Sequence, residues 1–339
     1  MSFNVSGADA GYAYSLGMVS GLYGRLLKPR DFEAMVLAAS ASEAASLLDG
    51  TGYGDAIRGL KGGYGLADLE EALAGQLLKS YIDVLSSVPR DDRAVLDSII
   101  LGGFDIDNLL TVCRAVTYKT PVEETMGMLF PYGRMGREEL VRLASQPAIE
   151  DIPEKVGKPY SDLIRRASQY KESMPAFEED LLRGFIEGLI EDSSGIARDY
   201  VMISVDVLNM RTIIRCRMAG IEPAGHVLRD GYHLDRNKMA ELLRQDISGI
   251  LKVLEDTPYY LPLKESMPQM GVLDFGAFDN RMRAAVAMEA DNLAILNPLS
   301  AGSVIAYIRA KEGEVRRIRS VLTGKWLGLA TADMKVMLS

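Results

Sequence analysis

A polar motif recurs along this chain at an offset of 101 positions. Asp105-Ile-Asp-Asn108-Leu-Leu-Thr111-Val-Cys-Arg114 and Asp206-Val-Leu-Asn209-Met-Arg-Thr212-Ile-Ile-Arg215 carry Asp, Asn, Thr and Arg in register. A weaker third copy, Glu314-Val-Arg-Arg317-Ile-Arg-Ser320, keeps the acid and the hydroxyl and puts Arg317 in the Asn position. A second landmark repeats with it. Tyr53, Tyr160 and Tyr259 each follow the start of a short helical segment, at Asp31, Glu138 and Asn237, by 22 residues. Self-similarity at a fixed period has to be read before local pattern, because it sets the architecture.

After each tyrosine comes a pair of long helical patterns. The pairs are 67–88 with 90–117, 176–192 with 196–218, and 274–296 with 299–323. The breaks fall at Pro89, at Ser193-Ser194-Gly195 and at Pro298. Both prolines read as first-turn residues of the second helix, where a missing N–H is harmless. A repeat of roughly 100 residues can bury its own core, unlike a solenoid unit. The sequence therefore predicts three similar helical domains, 1–117, 118–218 and 219–339, in a pseudo-threefold ring or funnel. A helix of about 28 residues spans about 42 Å.

Apolar spacing of three and four makes the chain all-α. Leu69, Leu73, Leu77, Tyr81 and Leu85 form one row, and Leu181, Phe185, Leu189 and Ile190 part of another. The segment from Tyr200 to Leu208 is β-branched but lies inside a longer helical pattern, and reads as helix. At 100° per residue Asp105 shares a direction with Leu109, Val112 and Val116, while Arg114 points about 180° away. The acid should thus be buried and held by a partner, since an unpaired buried carboxylate is costly. A device copied into each repeat reads as a packing element rather than as catalysis.

The chemistry of enzymes is missing from the pattern. Apolar residues at 48% and charged residues at 25% describe a folded chain. The 38 Lys and Arg against 47 Asp and Glu leave a net charge of −9, which argues against nucleic acid. No apolar run reaches the ~20 residues of a membrane span, and the opening residues lack the basic start of a signal peptide. A soluble, cytosolic chain is expected. Cys113 and Cys216 stand far apart and read as small buried thiols in a reducing compartment. His226 and His233 have no cysteine near them and cannot build a zinc site alone. There is no phosphate-loop motif, and the glycines Gly62, Gly63 and Gly65 follow a helix-like segment rather than a strand. They read as an interhelical turn. No catalytic, cofactor-binding or metal-binding residue is predicted.

These residues resemble a known family. The threefold repeat, the two middle motif helices and the closing run from Tyr307 through Lys311, Glu314 and Arg319 to Gly324-Lys325 look like the C subunit of archaeal and vacuolar-type rotary ATPases, whose counterpart in the eukaryotic proton pump is the d subunit. The opening helix, Tyr14 to Leu27, is similar too, with Met18 and Ser20 where the family often carries Arg. The resemblance implies a funnel of three helical domains and a non-catalytic rotor part, without cofactors. It implies a peripheral place on the cytoplasmic face of the membrane. Its partners would be a proteolipid rotor ring and central shaft subunits of the D and F type, with the membrane contacted through the ring. The competing reading is an all-α scaffold or adaptor unrelated to ATPases.

Overall fold

The structure is a computed structural model that describes residues 7–59, 65–130, 132–267 and 273–338. Among the described residues every regular element is helical, as the apolar spacing requires. The first third holds α1 (Gly7–Tyr23), α2 (Pro29–Leu37), α3 (Ala41–Ser46), α4 (Gly54–Gly59), α5 (Leu66–Ser87) and α6 (Arg90–Tyr118). The middle holds α7 (Val122–Met128), α8 (Arg137–Ala144), α9 (Tyr160–Ala167), α10 (Met174–Asp192) and α11 (Gly195–Ala219). The last third holds α12 (Arg236–Leu242), α13 (Ile247–Val253), α14 (Tyr260–Glu265), α15 (Phe275–Leu296), α16 (Ala301–Trp326) and α17 (Thr331–Leu338). Gly62 and Gly63 of the glycine cluster lie outside the described residues, and Gly65 stands directly before α5.

Contacts gather the chain into two compact units. One contains 1–108, 123–141 and 299–339, so the two ends of the sequence share it. There α16 packs on α1, α5, α2, α3 and α17. The other contains 109–122 and 142–298. Its α11 packs on α10 and α15, and α14 packs on α15.

Helix breaks follow local chemistry. The residue before a proline is pushed from α to extended backbone. Val88 accordingly ends α5 at ψ 143°, and the Pro89 carbonyl accepts the first N–H groups of α6, from Asp92 and Arg93. Pro298 works differently from the first-turn reading. Asn297 leaves the helix at ψ 67°, and α16 starts only at Ala301, after the cap Ser300, whose hydroxyl accepts from Gly302 N–H at 3.1 Å. Pro298 stops the preceding helix instead of opening the next. Gly220 ends α11 at φ 70°, a left-handed position suited to glycine, and Ile221 N–H returns to the Cys216 carbonyl at 2.8 Å. Cys113 is buried in α6, whereas Cys216, on the last turn of α11, is only half-buried.

The periodic rows become core. Leu69, Leu73, Leu77, Tyr81 and Leu85 are all buried, as are Val201, Ile203, Val205 and Val207 inside α11. In the second unit Phe278 and Met282 of α15 pack in one cluster with Met210, Ile213, Leu234, Leu254 and Tyr259. Truncating a fully buried aromatic removes contacts and leaves a cavity. Phe278→Ala should therefore cost about 3–5 kcal/mol in denaturant unfolding. Ile295→Ala, on an exposed side chain of the same helix, should stay within about 0.5 kcal/mol of the parent. Equal midpoints for the two variants would contradict this core.

Candidate functional site

The repeated acids sit on long helices and are buried: Asp105 on α6, Asp206 on α11 and Glu314 on α16. A carboxylate in a packed interior needs donors for both oxygens. Asp105 Oδ1 accepts the backbone N–H groups of Arg134 at 2.8 Å and Met135 at 3.1 Å, and its Oδ2 accepts Arg134 Nε at 3.1 Å. Asp206 Oδ2 accepts His233 N–H at 2.7 Å and the Tyr259 hydroxyl at 2.9 Å, and its Oδ1 accepts Leu234 N–H at 3.1 Å. Glu314 Oε1 accepts Leu27 N–H at 2.5 Å, and its Oε2 accepts the Tyr53 hydroxyl and Lys311 Nζ, both at 2.6 Å. Each acid thus clamps a loop to a long helix.

The three clamps use one register. Leu27, Arg134 and His233 each precede the repeated tyrosines Tyr53, Tyr160 and Tyr259 by 26 residues. The spacing of the tyrosines is legible in the sequence. The hydroxyl contacts of Tyr53 and Tyr259 with their acids are not, because the partners are 261 and 53 residues apart. Burial, reinforced by the adjacent carboxylate, pushes the Tyr53 and Tyr259 phenols far above their ordinary range, so both remain neutral donors. Burial also raises the Asp206 carboxyl, against the hydrogen bonds from His233 N–H, Tyr259 and Leu234 N–H.

The rest of the motif divides by direction. Asn108 holds Phe130 from both sides, accepting its N–H at 2.8 Å and donating to its carbonyl at 3.1 Å. Asn209 accepts Leu228 N–H at 2.7 Å and donates to the Arg229 carbonyl at 2.9 Å. Thr111, Thr212 and Ser320 are half-buried. Arg114 points outward and pairs with Glu178 at 2.7 Å, and Arg215 lies 4.6 Å over the Phe275 ring. Arg317 takes no part in the third clamp. It is exposed and lies 4.9 Å over the Phe32 ring.

Two glycines are part of the site and carry only a faint signal, a Gly beside a Tyr ahead of the clamped residue. A Cβ on Gly133 would fall 2.5 Å from Asp105 Oδ1, and one on Gly231 would fall 1.8 Å from Asp206 Oδ1. Gly133 also has φ 142°. The carboxylate occupies the space a side chain would need.

Each of the three acids takes at least one backbone N–H from a loop and so holds that loop to a long helix. Asp105→Ala strands the N–H groups of Arg134 and Met135 and should cost about 1–3 kcal/mol in unfolding. Gly231→Ala should destabilise by a similar amount through its clash with Asp206. Combined with Asp206→Ala, which removes the clashing oxygen, its effect should be smaller than alone. Strictly additive losses in that double-mutant cycle would show that Gly231 is not there for Asp206.

Comparison with known proteins finds a match over almost the whole chain. The family described as ATP synthase (C/AC39) subunit matches residues 16–337. The C subunit of the V-type ATP synthase of Thermus thermophilus is 28% identical over 332 residues, covering 96% of this chain and 97% of the relative. The C subunit of the A-type ATP synthase of Methanocaldococcus jannaschii is 26% identical over 348 residues, covering 97% of this chain and 86% of the relative. That of Halorubrum lacusprofundi is 26% identical over 309 residues, covering 87% and 88%. The chain belongs to the ATP synthase (C/AC39) subunit family.

Proposed function

We propose that this chain is a non-catalytic central-stalk subunit of an A/V-type ATP synthase. It joins the central shaft, with subunits of the D and F type, to the membrane proteolipid ring, and passes rotation between them. In this reading the repeats 1–117, 118–218 and 219–339 are three domains of a pseudo-threefold funnel. The subunit works at the cytoplasmic face as a peripheral protein. Among the described residues no helix is long and apolar enough to cross a membrane, which suits attachment through the ring.

One observation carries the reading. The clamps hand on from repeat to repeat in a cycle. The acid of the first repeat holds Arg134 and Met135 of the second, that of the second holds His233, Leu234 and Tyr259 of the third, and that of the third holds Leu27 and Tyr53 of the first. A part that transmits torque needs its repeats tied to one another, and these bonds tie a helix of each repeat to a segment of another.

The test is recovery from membranes. A tagged chain, expressed in its own cells and purified from detergent-solubilised membranes, should bring down the proteolipid and the shaft subunits. The purified chain alone should turn over no ATP. A well-folded chain that elutes without either partner would sink the rotor reading.

A further inference from the structure

Three side chains outside the repeated motif link the first clamp to the third: Glu312, Tyr81 and Phe104. Tyr81 of α5 is fully buried, and its hydroxyl donates to Glu312 Oε1 at 2.6 Å. Glu312 stands on α16 two residues before the acid Glu314, and its other oxygen accepts Arg309 Nη1 at 2.5 Å. The Tyr81 ring is stacked on Phe104, with centroids 6.3 Å apart and planes at 19°. Phe104 directly precedes the acid Asp105 on α6. Its ring meets Tyr132 edge-on at 4.5 Å and Phe130 at 5.8 Å. Phe130 is the residue whose backbone Asn108 holds, and Tyr132 lies two places before the clamped Arg134.

The rings are not part of what the repeats copy. Counted from the acids and the repeated tyrosines, the second clamp has Val205, Arg229 and Gly231 where the first has Phe104, Phe130 and Tyr132. The third has Gly313, Tyr23 and Arg25 at those places. A clamp therefore holds its loop without an aromatic residue ahead of its acid. What the rings add is an unbroken path of contacts from the first clamped loop to α16. Every member of that path lies in one compact unit, the one that takes 123–141 away from the rest of the second repeat. On a helix Glu312 and Glu314 point about 160° apart, at 100° per residue. One acid reaches α5, and the other reaches Leu27 and Tyr53. A rigid helix held on both sides passes a displacement on one side to the other, and contiguous packing and hydrogen bonds carry it onward.

We propose that Tyr81 is a strut that couples the first clamp to the third, so that loosening either one loosens the other through Phe104, Tyr81 and Glu312. The second clamp has no such strut and does not respond. Burial, reinforced by the adjacent Glu312, raises the Tyr81 phenol well above its ordinary range, so the strut stays a neutral donor. The coupling is internal to one compact unit and does not depend on what the subunit binds.

Amide hydrogen exchange of the full chain reads all three clamps in one sample. Asp105→Asn weakens the first clamp and should speed exchange at the Arg134 and Met135 amides directly. It should also speed Leu27 of the third clamp about fivefold, the low end of the range for coupled sites. The His233 and Leu234 amides of the second clamp should keep their rates. Tyr81→Phe keeps the ring stack and removes the hydroxyl that reaches Glu312. In that background Asp105→Asn should change Leu27 by less than about twofold, because uncoupled sites act independently. Coupling is reciprocal, so Glu314→Gln should speed Arg134 and Met135 by the same factor in the parent and lose that effect in Tyr81→Phe. An effect of Asp105→Asn on Leu27 that is equal in both backgrounds overturns the proposal, since it reports loosening of the whole unit. No effect on Leu27 in the parent overturns it too, as does a second clamp that speeds up alongside. Should Asp105→Asn not fold, the Glu314→Gln arm decides. Should neither fold, Tyr81→Phe alone decides: it should speed both Leu27 and Arg134 and leave Leu234 unchanged, and an unchanged rate at either of the first two overturns the strut.

Discussion

A carboxylate taken out of water has to be solvated by the protein, and this chain meets that demand with backbone. The burial of Asp105, Asp206 and Glu314 would be unfavourable without donors. The donors come largely from loops that have no helical partners of their own for those N–H groups. Acid and loop therefore satisfy each other, and neither is stable alone. The short-helix segments around Tyr53 and Tyr259 owe their placement to long helices far away in sequence. Short helices of six to nine residues, such as α2, α3, α13 and α14, would not persist by themselves.

This dependence explains why the ends of the sequence share one unit. Glu314 near the C-terminus carries the anchor for Leu27 and Tyr53 near the N-terminus. Lys325 of the same helix donates to the Ala38 carbonyl, and Arg319 pairs with Glu70 at 2.5 Å. The opening segments complete their packing only against the last long helix. Continuity along the chain and continuity of the packed unit are two different orders here.

Much of this is legible in sequence, and the reason differs by element. The long helices can be read because apolar spacing is a local signal and the rows from Leu69 to Leu85 carry it without interruption. The inward Asp and outward Arg of the motif follow from helix geometry alone. The hydrogen-bond partners do not follow, since nothing local in Tyr259 or His233 names a residue on α11. The glycines beside the acids escape notice for a related reason. A position that must lack a Cβ because a distant carboxylate lies there looks like any loop glycine. Pro298 misleads because proline is compatible with both a helix start and a helix stop, and only the Ser300 cap distinguishes them.

The third clamp shows how one substitution redistributes the anchoring. Asn108 and Asn209 each offer an acceptor and a donor, so one amide side chain can hold both polar groups of the loop. Arg317 has no acceptor at all and cannot take a loop N–H. It turns out over Phe32, and the amide grip is lost from this copy. Glutamate in place of aspartate adds a methylene of reach, and Lys311, three residues earlier on the helix, lies beside its carboxylate. The Lys311 ammonium also stands 4.2 Å above the Tyr53 ring. Backbone, phenol and ammonium then converge on a single carboxylate. An ion pair this deeply buried is stable only when its remaining oxygens are also satisfied, which Leu27 and Tyr53 accomplish. The first two clamps spread their hold over an acid and an amide three residues apart. The third concentrates it in one charged knot, and that knot is where the chain closes on its own beginning.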